Sequence, residues 1–274
     1  MAEATSLGPV LDIMVPTHGH LELTITCLGA LYQHTRSPFH LIIVDDSTDL
    51  TPLYLNQFCK EHDNVTYIHS EVPYKCGNQF FNRALAHCKT AFMAMVMNSV
   101  RVEPLWEIPV LELLRNDPKI GVVGLKSLLP DGTIESAFIK FAKYLPCDIG
   151  RGEPGHRYSL IHEVEAVQWA FAVVRKEAAL GNLDENTFHG FRGWDDIDNS
   201  LVLKKKGWKI IYCGASAGYH QPRATRGDNS QQAELENREN GVTFYKRWGF
   251  WEEFVRQHGE NGEIHAPPKA EKTP

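Results

Sequence analysis

The sequence predicts an α/β fold, a mixed and mostly parallel sheet flanked by helices in a single domain. Two observations carry this. Short apolar runs alternate with helix-period segments of about a dozen residues through the first half of the chain, which implies βαβ crossovers. At 274 residues, with 43% hydrophobic and 23% charged side chains, the chain is long enough for one large core and too apolar for wholesale disorder.

The elements follow in order. Leu11–Val15 is an apolar strand that ends in the loop Pro16–His20. Leu21–His34 has Leu21, Ile25, Leu28 and Leu31 at helical spacing. Leu41–Val44 is a buried-type strand ending in Asp45-Asp46-Ser47, and Thr51–His62 is a helix. Val65–Ile68 is a third strand, Gly77–Lys89 a helix and Phe92–Met97 a fourth strand. Pro104–Arg115 then predicts a helix and Ile120–Leu129 a strand, closed by the turn Pro130-Asp131-Gly132. Residues 143–160, rich in Gly and Pro, predict a loop, and Val164–Val174 a long strand. A helix opens at Trp194 and runs to Lys206. Its acidic first turn and lysine-rich last turn suit the helix dipole, and Gly207 supplies a stop. Lys209–Cys213 is a strand, with Tyr219-His220 in the loop beyond it. Glu234–Trp248 and Phe250–Gln257 are helices. Residues 1–10 read as an extension and 259–274 as a disordered tail, which leaves 11–258 as the domain.

Charge and cysteine usage narrow the function. Lys plus Arg is 28 against 34 Asp plus Glu, a net charge of −6, so there is no basic excess to hold a polyanion. The six cysteines show no C-x-x-C pair and no metal-finger spacing. Residues 1–10 lack a basic stretch followed by an apolar core, and no apolar run approaches a bilayer span. Reduced thiols in a cytoplasmic protein are expected. Phe244–Val255 places aromatics beside basic residues, which suits core packing, an oligomer contact or a membrane surface.

In a parallel sheet, ligands bind at the carboxyl ends of the strands. Thr17, His18 and His20 follow the first strand, Asp45 and Asp46 the second, Glu71, Tyr74 and Lys75 the third, and Asn98, Ser99 and Arg101 the fourth. The first loop has one glycine, so the Rossmann phosphate cradle is absent, and no G-x-x-x-x-G-K-[ST] loop exists. Any nucleotide must be held by side chains or a metal. Asp45-Asp46 either cap the following helix or accept from a base or ribose. Asp195-Asp196-x-Asp198 either suit a helix start or supply a general base whose pKa is raised by its neighbours. His220, ahead of Arg223 and Arg226, is either structural or a group for a diphosphate and its cation. The polar loop Gln221–Ser230 has the composition of a lid.

These pieces, in this order, resemble the inverting family-2 glycosyltransferases of GT-A fold. The matching residues are Ile13-Met14-Val15-Pro16-Thr17, Ile43-Val44-Asp45-Asp46-Ser47-Thr48, Gly77-Asn78 with Asn82-Arg83, and Met97-Asn98-Ser99-Val100 with Glu103-Pro104. Val174-Arg175-Lys176, Gly193-Trp194-Asp195-Asp196-Ile197-Asp198, Gly207-Trp208 and Tyr219-His220 complete the set, over roughly residues 11–225. Trp-Asp-Asp is also similar to bacterial galactofuranosyltransferases.

The resemblance implies transfer of a sugar from a nucleoside-diphosphate donor, expected to be UDP-linked, to an acceptor hydroxyl. Residues 11–103 would form the nucleotide-binding half and 104–258 the acceptor and catalytic half. Thr17 and His18 would lie near the base, and Asp46 would accept from its N–H. Asp196 would be the general base, with Asp195 and Asp198 orienting it or holding acceptor. Trp169 and Trp194 would line the sugar and acceptor pockets. His220 would be a metal ligand.

The metal-binding D-x-D is degenerate, because Asn98 and Ser99 stand where the family carries acids. Mn²⁺ or Mg²⁺ would therefore be held weakly through His220, or Lys75, Arg101, Arg223 and Arg226 would neutralise the diphosphate instead, or catalysis would be lost. A non-catalytic sugar-nucleotide-binding scaffold and a sugar nucleotidyltransferase are the alternatives. The acceptor stays open among glycan, lipid-linked, protein, small-molecule and modified-base classes.

Overall fold

The computed structural model describes residues 8–191, 193–221 and 231–259. The strands are β1 (Leu11–Thr17), β2 (Phe39–Asp45), β3 (Val65–His69), β4 (Phe92–Val96), β5 (Val100–Val102), β6 (Ile120–Leu128), β7 (Ile134–Ser136), β8 (Phe138–Ala142), β9 (Leu145–Ile149), β10 (Ile161–Glu163), β11 (Phe171–Arg175) and β12 (Lys209–His220). The helices are α1 (Leu21–His34), α2 (Thr51–Glu61), α3 (Gly77–Leu85), α4 (Glu107–Asn116), α5 (Lys176–Ala179), α6 (Asp195–Lys205), α7 (Gln231–Arg247) and α8 (Trp251–His258).

One sheet runs β10-β12-β6-β11-β4-β1-β2-β3, with β5 added beside β12 and β7 beside β6. The pairings among β1, β2, β3 and β4 are all parallel, in register Thr17–Asp45 and Asp45–His69. β11 then enters antiparallel between β4 and β6, and makes the sheet mixed. Strand alternation splits the core into two layers. Ile13, Val15, Leu41 and Ile43 face α1, α2 and α4. Met14, Ile42, Val44, Met93 and Met95 face α3, α5 and α6.

Four predicted elements differ from the structure. Only the end of the predicted 164–174 strand is strand, as β11, while residues 164–170 are irregular and β10 lies just before them. The 143–160 loop contains β9, which pairs with β8 as a separate hairpin. Lys209–Cys213 extends to His220 because the strand bulges between Cys213 and Ala217 and then resumes its pairing with β6. The helix predicted from Pro104 begins at Glu107, since Leu105 takes a positive φ of 64°.

A third aromatic cluster packs α7 and α8 onto the domain. Phe244, Tyr245 and Phe254 are buried with Tyr144, Phe188 and Trp194. Core packing, one of the three readings the segment suited, therefore occupies Phe244, Tyr245 and Phe254. No described helix is long and apolar enough to cross a membrane. All six cysteines are free thiols. The predicted tail 260–274, most of the 1–10 extension, and Pro222–Ser230 of the predicted lid lie outside the described residues.

Candidate active site

The carboxyl ends of β1, β2 and β3 bring together the residues expected around a donor base. Asp45 is a buried hub. Its Oδ1 accepts from the Thr17 hydroxyl (2.7 Å) and the Ser47 N–H (2.9 Å), and its Oδ2 from the Tyr67 hydroxyl (2.7 Å), with His69 Nδ1 at 2.9 Å. Burial alone would raise this carboxyl, but the donors on Ser47, Thr17 and Tyr67 outweigh it and hold it below the ordinary range. Asp45 and Thr17 are thus spent on each other, and their expected contact with the donor is not open in this arrangement.

Asp46 accepts the Tyr74 N–H on Oδ2 at 2.7 Å, while His18 Nδ1 lies 2.7 Å from Oδ1. The Asp46 carboxylate is fully covered and the His18 side chain is 54% exposed. At this edge the imidazole is the exposed group and Asp46 lies covered behind it. Sequence reasoning missed the wall beside His18. Phe191 lies 6.3 Å from His18 and 5.9 Å from Phe80, and Tyr74 packs on Phe80 at 4.4 Å, ring centre to ring centre. Tyr74 was visible as a post-strand residue, but nothing in the text of the sequence brings Phe191 to it.

Strand β12 delivers His220 to the Asn98-Ser99 turn. His220 pairs with Val100, and the Gln221 N–H donates to the Ser99 carbonyl at 3.1 Å. Asn98 is turned inward, its amide donating to Thr24 Oγ1 at 3.1 Å and Gly19 O at 3.4 Å. Lys75 and Arg101 are exposed, with the Arg101 guanidinium 4.9 Å from the Tyr219 ring centre. Arg223 and Arg226 lie outside the described residues.

His220 has a buried acidic neighbour that the sequence reading missed. Its Nδ1 faces Glu135 Oε2 at 3.5 Å, outside hydrogen-bond geometry, and neither atom has a hydrogen-bond partner. Burial raises the Glu135 carboxyl, but His220 and Arg151 outweigh it and hold it below the usual range. The only signal in the sequence was an acid beside Ile134 just past the Pro130-Asp131-Gly132 turn.

The resemblance implies a divalent cation at this turn. Among the described residues no three His, Cys, Asp or Glu side chains converge as such an ion would need. Asn98 offers its amide to the fold, and Ser99 is neutral. Among the described residues the side chains at this turn do not by themselves complete a divalent-cation site, so an ion bound through His220 would take its remaining ligands from the diphosphate and water.

The structure gives each acid of Asp195-Asp196-x-Asp198 a different environment. Asp195 is buried against the start of α3, so closely that a Cβ on Gly77 would fall 2.8 Å from its Oδ2. Asp198 is buried on the opposite side, where it accepts from Trp248 Nε1 at 2.8 Å and pairs with Arg247 Nε at 3.1 Å. Burial pushes the Asp198 carboxyl up, against the pull of Trp248 and Arg247. Asp196 alone of the three is half-buried. Its carbonyl accepts the Ser200 hydroxyl at 2.9 Å, and that hydroxyl in turn accepts Trp169 Nε1–H at 3.1 Å.

Both tryptophans expected at the sugar and acceptor pockets are buried. Trp169 is fully buried beside Phe81, because the irregular stretch before β11 folds under α6. Trp194 is buried against Phe244 and Tyr245, with its indole N–H donated to Asn237 at 3.0 Å.

The architecture is that of the GT-A fold. Residues 12–127 match the profile of glycosyl transferase family 2. GalNAc-T7, solved with UDP, GalNAc and Mn²⁺, shares the fold with a TM-score of 0.70 at 12% identity, over 92% of this chain and 52% of its own. Mannosyltransferase PcManGT from Pyrobaculum calidifontis, in complex with GDP-Man and Mn²⁺, does so with a TM-score of 0.58 at 15% identity, over 89% and 65%. S. aureus TarS 1–349, in complex with UDP-GlcNAc, gives 0.60 at 14% identity, over 92% and 73%. In sequence, the chain is 26% identical over 254 residues to the uncharacterized protein y4gI of Sinorhizobium fredii (strain NBRC 101917 / NGR234). The match covers 87% of this chain and 27% of that relative, so the chain spans about a quarter of the relative's length.

Proposed function

We propose that this chain is an inverting glycosyltransferase that moves a sugar from a nucleoside-diphosphate donor, UDP-linked, to an acceptor hydroxyl, with Asp196 as general base. The observation that carries the reading is the sorting of the three acids. Asp195 is committed to the start of α3 and Asp198 to Trp248 and Arg247, so Asp196 is the carboxylate with exposed surface. The nucleotides bound in the related folds, UDP, UDP-GlcNAc and GDP-Man, support a nucleoside diphosphate.

In this mechanism Asp196 takes the proton of the acceptor hydroxyl as its oxygen attacks the anomeric carbon. The bond from that carbon to the diphosphate oxygen breaks on the opposite face, and the configuration inverts. The leaving diphosphate carries the electron pair, and its charge is met by the exposed cations Lys75 and Arg101. His18, with Phe191 and Tyr74 beside it, forms the base end of the donor site. Residues 11–103 act as the donor half and 104–258 as the catalytic half.

The inward-turned Asn98 favours one other reading, a protein that binds the sugar nucleotide without turning it over. Comparing D196N with the parent separates the two. Release of UDP from UDP-sugars by the parent, lost in D196N with UDP affinity kept, supports the enzyme. Equal release by both sinks Asp196 as base. Binding without release in either supports the non-catalytic reading.

A further inference from the structure

The turn that presents Asp196 does not hold itself. Gly190, Gly193 and Trp194 all have positive φ, and Trp194 does so as a bulky non-glycine residue at φ 65°. Trp194 is the N-cap of α6, yet its side chain makes no capping hydrogen bond there. A strained turn persists only where its surroundings over-determine it, and here most of those surroundings come from α7.

Asn240 of α7 is buried and uses both ends of its amide on the backbone of one residue. Its Oδ1 accepts the His189 N–H at 3.1 Å, and its Nδ2 donates to the His189 carbonyl at 2.7 Å. Asn237, one turn earlier on the same face, accepts the Trp194 indole N–H at 3.0 Å. The two asparagines therefore grip both shoulders of the turn, at residues 189 and 194. On the donor side the Gly190 N–H donates to the Lys75 carbonyl at 2.7 Å. At the far end of α7, Arg247 reaches Asp184, Thr187 and Asp198.

We propose that Asn237 and Asn240 are positioning residues for the reaction, setting the place of the Asp196 carboxylate through the turn 189–194. The inference rests on Asp196 acting as base. It makes α7 a part of the catalytic apparatus that touches no substrate. A base displaced by a fraction of an ångström loses rate while the donor, held on the opposite side at β1–β3, binds as before.

The test compares N240A, N237A and N237D with the parent by steady-state kinetics on a UDP-sugar, UDP binding by calorimetry, and amide hydrogen exchange over residues 188–194. In N240A and N237A, kcat falls about ten-fold or more, donor KM and UDP affinity stay within about two-fold, and the turn amides exchange faster. N237D keeps an oxygen to accept the indole N–H and restores most of kcat. Asn237 is only half-buried, so the N237A and N237D comparison carries the test if N240A fails to fold.

Parental kcat in folded N240A and N237A overturns the proposal. So does equal damage in N237D and N237A, or turn exchange that no variant changes. If D196N keeps parental turnover, it is the reading of Asp196 that fails. If D196N is inactive and the α7 variants are not impaired, only this inference fails.

Discussion

The chain carries two Asp-Asp pairs, Asp45-Asp46 at the end of β2 and Asp195-Asp196 at the start of α6. In the first, four donors converge on Asp45 and two groups on Asp46, and both carboxylates are covered. That run builds the donor edge and leaves His18 to face outward. In the second, Asp195 presses on Gly77 while Asp196 keeps exposed surface. The difference shows that an acid's role follows from the donors that surround it. Donor-rich surroundings make a structural hub, and a half-open carboxylate on a strained turn is suited to move protons.

The comparison predicts effects of graded size. D196N removes the base and lowers turnover by roughly 10²–10⁴-fold at unchanged UDP affinity, read by UDP release and calorimetry. D45A works in the opposite way. It orphans the Thr17, Tyr67 and Ser47 donors and lowers stability by about 3 kcal/mol or more, read by urea unfolding. A variant that lost turnover with stability intact would move Asp45 into the chemistry.

G77A probes the contact that commits Asp195. The new methyl would sit 2.8 Å from the carboxylate, at a cost of about 1–3 kcal/mol. G29A in α1 is its control. A Cβ there meets nothing within 4 Å, and the helix gains about 0.5–1 kcal/mol. Thermal melts of the pair give opposite signs.

The smallest effect is a pH dependence on the α7 side. Burial opposes ionisation of Asp184, but the hydrogen bonds from Thr187 and the Asn186 N–H, and Arg247, outweigh it and bring the carboxyl down from 3.8 to about 2. A folded-state value below the unfolded one gives stability that is complete above pH 3.8 and lost as pH falls toward 2. D184N removes that part of the acid slope in a pH series of melts. Asp198, pushed up by burial, acts with the opposite sign, so D198N does not remove the same slope.

Much of the donor edge was legible because topology dictates it. Parallel strands bring their carboxyl ends together, so Thr17, Asp45 and His69 fall into register whatever the helices do. The sequence could not say that these groups consume one another, because hydrogen-bond direction is a tertiary fact. The same limit misplaced Trp169 and Trp194. A large aromatic beside a motif reads alike whether it faces a ligand or, as here, Phe81 and Phe244. Glu135 was hidden because its meaning depends on His220, which lies far along the chain on a strand that bulges and resumes. The same holds for Asn237 and Asn240, polar residues on a polar helix until Trp194 and His189 come within reach.

The central claim is that Asp196 performs the proton transfer of a glycosyl transfer from a nucleoside-diphosphate sugar. The most direct measurement is the rate of UDP release from UDP-sugars, with water as acceptor, by the parent and by D196N at matched UDP occupancy. A parent that turns over and a variant slowed by about a hundred-fold or more, with equal affinity for UDP, is the predicted result. Equal rates in the two proteins would contradict it.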